Sequence, residues 1–151
     1  MDQKIENITL KMHIDQLCEL YEKEKFLTVI QKTKKLLDRF NNSISLLNIL
    51  GMSNSKIKKY DTAINYYQKA LKVDPNHPLT LFHLGVVFQD IFDFDSSISY
   101  YKRAIHSNSN YIDPLFNLSF IHKDLGNYKE AVDLLKKIII IKPNYLKAYQ
   151  C

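Results

Sequence analysis

Small, aliphatic and aromatic side chains recur along this chain with a period of 34 residues. One column is aromatic at every step, at Phe26, Tyr60, Phe94 and Tyr128. Smaller side chains fill other columns with the same step: Val29, Ala63, Ser97 and Ala131; Ile30, Ile64, Ile98 and Val132; Leu36, Ala70, Ala104 and Ile138; Leu47, Leu81 and Leu115; Leu50, Leu84 and Leu118. So many columns in one register indicate tandem structural repeats.

Within each repeat the apolar positions predict two helices. The second apolar set of the unit 44–77 advances in steps of 3, 1, 3, 3 and 1, which places it on one face of a helix. A polar stretch such as SKIKK or KDLGN separates this set from an apolar segment before it. Pro75 and Pro143 end the second helices, because proline cannot continue a helix. Each unit is therefore predicted to be a helix hairpin.

Small residues in the first helices predict close packing within and between hairpins. Gly51 and Gly85 face Ala63 and Ser97 of the following helix, so the two helices of a hairpin can approach closely. One hairpin of this size cannot bury its own apolar face, so the units must stack. The sequence predicts an all-α fold, a right-handed superhelical solenoid of antiparallel helix hairpins.

Composition agrees with a helical protein and limits its class. The chain has 151 residues, of which 46% are hydrophobic, and only 3 Gly and 4 Pro, too few for the tight turns of a β-sandwich or barrel. The net charge of +5 comes mostly from lysine, whereas nucleic-acid contacts favour arginine. The first twelve residues contain no apolar signal segment, and the longest apolar run, Ile138–Ile141, is too short to span a bilayer. Cys18 and Cys151 give no disulfide framework, so we expect a cytoplasmic protein without membrane contact.

At this point the repeat resembles the tetratricopeptide repeat (TPR) family. The segments LLNILGMSNSKIKKYDTAINYYQKALKVDPN, LFHLGVVFQDIFDFDSSISYYKRAIHSNSN and LFNLSFIHKDLGNYKEAVDLLKKIIIIKPN match its pattern, with Ser97, Ser109 and Ser119 as departures. A degenerate first repeat precedes them, with His13 and Gln16 where the others carry leucine. The resemblance places repeats at about 10–43, 44–77, 78–111 and 112–145, a partial fifth from 146, and an N-terminal extension at 1–9.

The resemblance implies a protein-interaction scaffold that binds a peptide or partner protein on its concave face, which the first helices line. Carried over residue by residue, this surface holds three sets: Asn48, Ile49 and Met52; Phe82, His83 and Val86; Phe116, Asn117 and Phe120. Their apolar members predict a groove for an apolar peptide, although some of the Phe rings could instead be core. His83 and Asn117 could bond a peptide backbone, or be ordinary polar residues of a helix surface.

Two further binding modes are disfavoured. The family's chaperone-binding branch holds a terminal carboxylate with Lys, Asn and Arg, but the last Lys position here holds Asp113, which has the wrong sign. A basic column runs along the second helices, which could follow a phosphate backbone but is more often a solvated face. Its members are Lys35, Lys69, Arg103 and Lys137, with Lys34, Lys102 and Lys136 beside them. Nucleic acid is therefore an unlikely partner.

The residues of catalysis and of metal or cofactor binding do not form recognisable patterns. The glycines are isolated, and the five histidines form no i, i+4 pair. Asp90, Asp93 and Asp95 resemble the start of a calcium loop, but cap a helix more plausibly. We expect a non-catalytic segment without cofactor or metal. The alternative interpretation is the N-terminal array of a larger bacterial glycosyl-, sulfo- or methyltransferase that recruits its protein substrate.

The carboxyl-terminal repeat is expected to leave an apolar surface. The column that is polar at Asp38, Lys72 and His106 becomes Ile140. After Asn144 the residues 145–149 are predicted to begin another first helix, with Tyr149 on the column of Leu115. Because a helix of about two turns is not stable unaided, we expect either further repeats or self-association through this end.

Overall fold

The computed structural model describes residues 3–149 of the chain, and its regular structure there is entirely helical. The helices are α1 (Gln3–Glu22), α2 (Phe26–Arg39), α3 (Ile44–Lys56), α4 (Tyr60–Val73), α5 (Pro78–Asp90), α6 (Phe94–Ser107), α7 (Ile112–Asp124) and α8 (Tyr128–Ile141). A short 3₁₀ helix follows at Leu146–Tyr149. The predicted all-α fold of tandem hairpins is confirmed.

The chain divides into two compact units at Pro75 and Asn76. The first unit contains α1 to α4, and the second contains α5 to α8 with the 3₁₀ helix. Each unit therefore consists of two hairpins, in which the first helix packs along the second.

Polar side chains cap the amino-terminal ends of several helices. Ser43 caps α3 by accepting from the Leu46 amide at 3.4 Å, and His77 caps α5, whose first residue is Pro78. Asp93 caps α6, because its carboxylate accepts from the Ser96 amide at 3.1 Å. Hydrogen bonds from the Ser96 side chain and backbone lower the pKa of the Asp93 carboxyl, as expected for an ionised cap. The prediction that this aspartate is a helix cap is confirmed.

Each of the four hairpin turns contains one residue with positive φ, and these residues are 34 positions apart. They are Glu24, Lys58, Phe92 and Gly126, with φ of 55°, 59°, 63° and 77°. The left-handed conformation suits glycine and strains residues that carry a Cβ. Only the last turn carries glycine, the residue that this left-handed conformation favours.

In the first unit one buried cluster joins α1, α2 and α3. Leu17, Val29 and Leu46 are its buried centre. Helix α1 begins at Gln3, so residues 3–9, which the sequence assigns to an extension, continue directly into the first helix. Glu6 also forms a 3.2 Å ion pair with Arg39 of α2, where both side chains are partly exposed and the net stabilisation is at most about 1 kcal/mol.

In the second unit two buried clusters hold successive helices together. Tyr101 of α6 packs with Leu118 and Ile121 of α7, and Leu115 packs with Ile138 and Ala148. The Ser97 hydroxyl also donates to the carbonyl oxygen of Gly85 at 2.8 Å, joining α6 to α5. The close approach predicted at the glycine column is therefore confirmed.

The end of the described chain differs from the predicted start of a fifth first helix. Leu146–Tyr149 form a 3₁₀ helix, which has about three residues per turn and shifts the register of the buried side chains. Ala148 is buried, whereas Tyr149 is 60% exposed, so its predicted place on the column of Leu115 is wrong. Cys151 and the predicted continuation beyond Tyr149 lie outside the described residues.

Candidate partner-binding surfaces

In the first unit an apolar cleft lies between the two first helices. Its volume is about 310 Å³. Two residues of the predicted site, Ile49 and Met52 of α3, form one wall. The residues of α1 that line the other wall are Leu17, Cys18, Tyr21 and Glu22. The structure therefore brings Ile49 and Met52 into one cleft, which we call the α1–α3 cleft.

Asn48, the third residue of this predicted set, lies elsewhere. Its side chain is only 4% exposed, so it is part of the protein interior. Helix α3 buries residues on most of its circumference, including Leu46, Leu47 and Leu50. The predicted surface position of Asn48 is therefore wrong.

The Phe82 ring in the second unit belongs largely to the core. Its centroid lies 5.9 Å from that of Tyr101 and 5.4 Å from that of Tyr111. Val86 and Phe82 both pack against the buried cluster of Tyr101, Leu118 and Ile121. The sequence allows Phe82 to be either a groove contact or a core residue. The structure favours the core position, because most of the ring's neighbours belong to the buried cluster.

Phe116 and Phe120 form an aromatic pair on α7. Their centroids are 4.9 Å apart with the rings 63° from parallel, a favourable edge-on arrangement. Phe116 also contacts Tyr145 at 5.6 Å, and the Lys123 ammonium lies 5.5 Å from the centre of the Phe120 ring. Both rings are partly exposed, so this pair offers apolar surface on the first-helix side of the unit.

Asn117 is engaged in a hydrogen-bonded chain across three helices. Its amide donates to the Tyr101 hydroxyl at 3.0 Å, and that hydroxyl donates to Gln89 Oε1 at 2.8 Å. Burial raises the pKa of Tyr101 to about 12, so the hydroxyl keeps its proton at neutral pH. Sequence reasoning missed this network, although Tyr67 and Tyr101 stand in one column opposite the two glycines.

His83 is partly buried next to the Phe82 ring, 5.4 Å away between centroids. Burial, with a smaller contribution from His77, lowers the pKa of His83 to about 4. The imidazole is therefore neutral at pH 7. It therefore offers no positive charge to a carboxylate.

Cys18 is a cleft residue that the sequence analysis passed over. It precedes Met52 by 34 residues and so occupies the column of Met52, Val86 and Phe120, which was the available signal. Burial, followed by the charges of Asp15 and Glu22, raises the pKa of its thiol. The thiol is therefore protonated and weakly nucleophilic at neutral pH.

The basic columns and the acidic, cysteine and histidine side chains of the described residues give little support to a nucleic acid or a metal ion as ligand. The basic column of each unit is exposed, and the Lys69 and Arg103 cations lie 5.5 and 5.4 Å from the ring centres of Tyr66 and Tyr100. Within residues 3–149 no group of three or more His, Cys, Asp and Glu side chains is arranged to hold a metal ion. None of the described helices combines the length and apolarity needed to cross a membrane.

Comparison with known proteins agrees with this geometry. Two sequence models of the family described as "Tetratricopeptide repeat" match residues 44–77 and 112–145. No curated protein sequence matches the chain.

Solved structures resemble the fold over most of its length. A crystal structure of MamA is 27% identical, with a TM-score of 0.76 over 87% of this chain and 77% of that one. MamA from Desulfovibrio magneticus RS-1 is 15% identical, with a TM-score of 0.77 over 93% and 79%. YrrB, described as a TPR protein with an unusual peptide-binding site, is 21% identical, with a TM-score of 0.73 over 87% and 68%.

The repeat matches at residues 44–77 and 112–145 and the eight helices in tandem hairpins fit a tetratricopeptide repeat protein. This fold supports a protein-interaction scaffold, and it is generally a non-catalytic one.

Proposed function

We propose that the chain binds an extended apolar segment of a partner protein in the α1–α3 cleft, with Ile49 and Met52 as the central contacts. The observation that carries this proposal is the open cleft itself, whose lining is apolar except at Glu22. Pockets of this kind bind apolar side chains and use a few polar groups for orientation. The flexible thioether of Met52 adapts to side chains of different shape.

The first-helix surface of the second unit supplies a similar set of contacts. Val86, Phe116 and Phe120 are partly exposed apolar residues, and neutral His83 lies next to Phe82. Asn117 stands beside them, although its amide already donates to Tyr101. Phe82 contributes mainly by holding this surface in place, because its ring packs against Tyr101 and Tyr111.

The chemistry of these surfaces favours an apolar ligand over a charged one. A carboxylate would find Glu22 at the α1–α3 cleft, and no cation at His83. The description of YrrB as having a peptide-binding site agrees with a peptide ligand for this fold.

The test is selection from a random peptide display library against the purified chain. Met52→Glu places a charge in the α1–α3 cleft and should abolish binding of the selected peptides. Leu27→Glu, at a side chain of α2 that is 70% exposed, is the matched control and should leave binding unchanged. Equal binding by both variants, each with unchanged helicity, would show that the peptides do not occupy the cleft.

Self-association through the carboxyl-terminal end stays a prediction. Exposed apolar side chains at Ile140, Leu146 and Tyr149 favour it. Sedimentation over a range of concentrations checks it, and a monomer throughout would exclude it. The alternative of an array that recruits substrate to a bacterial transferase also stays a prediction.

A further inference from the structure

The second unit carries a groove between α6 and α8, the second helices of its two hairpins. The groove has a volume of about 370 Å³. Its apolar lining comes from three helices: Ile105 of α6, Leu115 and Leu118 of α7, and Leu134 of α8. We call this the α6–α8 groove. It lies in a different unit from the α1–α3 cleft, so its role is independent of the proposed function.

Charged side chains line the two ends of the α6–α8 groove. Glu130 lies in the first turn of α8, next to the α7–α8 turn, and Asp133 lies one turn further along the helix. Lys137 follows on the same face, about 10 Å from Glu130 along the helix axis. Lys102 of α6 is the repeat equivalent of Lys136, so it lies toward the end of the groove that holds Lys137. One end of the groove is therefore acidic and the other is basic.

These charges are available to a partner. The side chains of Lys102, Glu130, Asp133 and Lys137 are all exposed, and within residues 3–149 they form no ion pair. Asp133 and Lys137 stand four positions apart on one helix, a spacing at which opposite charges can pair. Even these two side chains are unpaired in the described structure. Four unpaired charges thus surround an apolar groove.

The first unit has a similar groove with a different charge pattern. Its cavity is lined in part by Leu37, Leu47 and Lys69, which stand two repeats before lining residues of the α6–α8 groove. The apolar lining and one lysine are therefore common to both units. The places of the two α8 carboxylates, however, hold Thr62 and Asn65 in α4. The acidic end is thus a property of the second unit and not of the repeat.

From this charge order we propose that the α6–α8 groove is the contact between two copies of this chain, whose α8 helices lie antiparallel across a twofold axis. A twofold contact requires a self-complementary surface, because each pair of residues meets twice. The face of α8 meets this condition. In the antiparallel arrangement Glu130 and Asp133 of each copy face Lys137 of the other copy. Leu134 lies near the middle of that face and meets its counterpart at the axis.

The same charges exclude a parallel arrangement. Two parallel α8 helices in register place Glu130 against Glu130 and Lys137 against Lys137, and like charges across an interface are strongly unfavourable. The apolar lining of both grooves supplies the burial that favours association, while the charges select its orientation. This contact differs from self-association through the carboxyl-terminal end, which would use Leu146 and Tyr149.

The experiment uses two charge variants of the full chain and sedimentation velocity over a range of concentrations. Lys137→Glu makes this face of α8 acidic throughout, and Glu130→Lys combined with Asp133→Lys makes it basic throughout. We expect the parent to form a dimer, and each variant alone to self-associate at least about tenfold more weakly. An equimolar mixture of the two variants should form a 1:1 dimer at least as tightly as the parent, because every contact then joins opposite charges.

Two further variants are controls. Asp124→Lys changes an exposed charge at the end of α7 outside the groove, and Leu146→Asp changes a 73% exposed side chain of the 3₁₀ helix. Both should leave the dimer unchanged, and circular dichroism checks that every variant folds. A parent that stays monomeric, a mixture of the charge variants that does not associate, or a dimer that only Leu146→Asp disrupts would each overturn the proposal.

Discussion

The ring of Tyr101 lies directly against the backbone of Gly85. A Cβ placed on Gly85 would lie 2.4 Å from Cε1 of that ring, closer than carbon atoms approach in proteins. Tyr67 has the same relationship to Gly51. One repeat after Tyr101, the same two columns hold Ser119 and Leu135 instead. Where the first helix carries serine instead of glycine, the second helix carries leucine instead of the larger tyrosine. The two sizes change in opposite directions, as close packing requires.

This relationship predicts coupling between positions 85 and 101. Gly85→Ser should destabilise the chain by about 1–3 kcal/mol, because its Cβ would overlap the fully buried Tyr101 ring, which must shift to make room. Adding Tyr101→Leu reproduces the pair found at Ser119 and Leu135. The double variant should lose at least about 1 kcal/mol less than the sum of the single variants. Urea denaturation measures all three, and additive losses would contradict the size relationship.

The hairpin turns predict a stabilising substitution. Lys58 has a φ of 59° and an exposed side chain, so Lys58→Gly relieves backbone strain and removes no buried contact. We expect a gain of about 0.5–1 kcal/mol, since the greater freedom of glycine in the unfolded chain offsets part of the relief. Lys56→Gly, in the last turn of α3, is the control and should lower stability. Thermal denaturation should move the two midpoints in opposite directions.

The low pKa of His83 predicts a loss of stability in mild acid. In the unfolded chain this imidazole takes up a proton near pH 6.5, whereas in the folded chain it does so near pH 4. The unfolded state therefore binds more protons between these values, and the free energy of unfolding falls as the pH is lowered through that window. His83→Gln should remove this part of the pH dependence, while His106→Gln, at an exposed position, should not. Equal pH profiles for His83→Gln and the parent would contradict the assignment.

The environment of Cys18 predicts slow alkylation at neutral pH. Burial and the nearby charges of Asp15 and Glu22 raise the thiol pKa, so the reactive thiolate is scarce. Glu22→Gln should lower that pKa and speed the reaction with iodoacetamide at pH 7.5, measured in a Cys151→Ser background. Glu24→Gln, at an exposed turn residue, serves as the control. A rate unchanged by Glu22→Gln would show that its charge does not act on the thiol.

The sequence could predict the repeats because their columns recur in one register, as at Leu50, Leu84 and Leu118. It could also predict close contact at Gly85, since no other residue is as small. It did not reveal that Tyr101 fills that space, because the contact depends on how the two helices cross. The family's groove positions assign Asn48 to the surface, and the periodicity of α3 could not correct this, because the helix is apolar on most sides and has no single exposed face.

The hydrogen-bonded chain from Asn117 through Tyr101 to Gln89 also fixes the rotation of α7 about its own axis. The bond to Gln89 holds the Tyr101 hydroxyl in place, and the directional bond from Asn117 favours the angular setting of α7 that aims its amide at that hydroxyl. The packing of α7 on α6 is therefore set by a polar contact as well as by the apolar cluster around Tyr101.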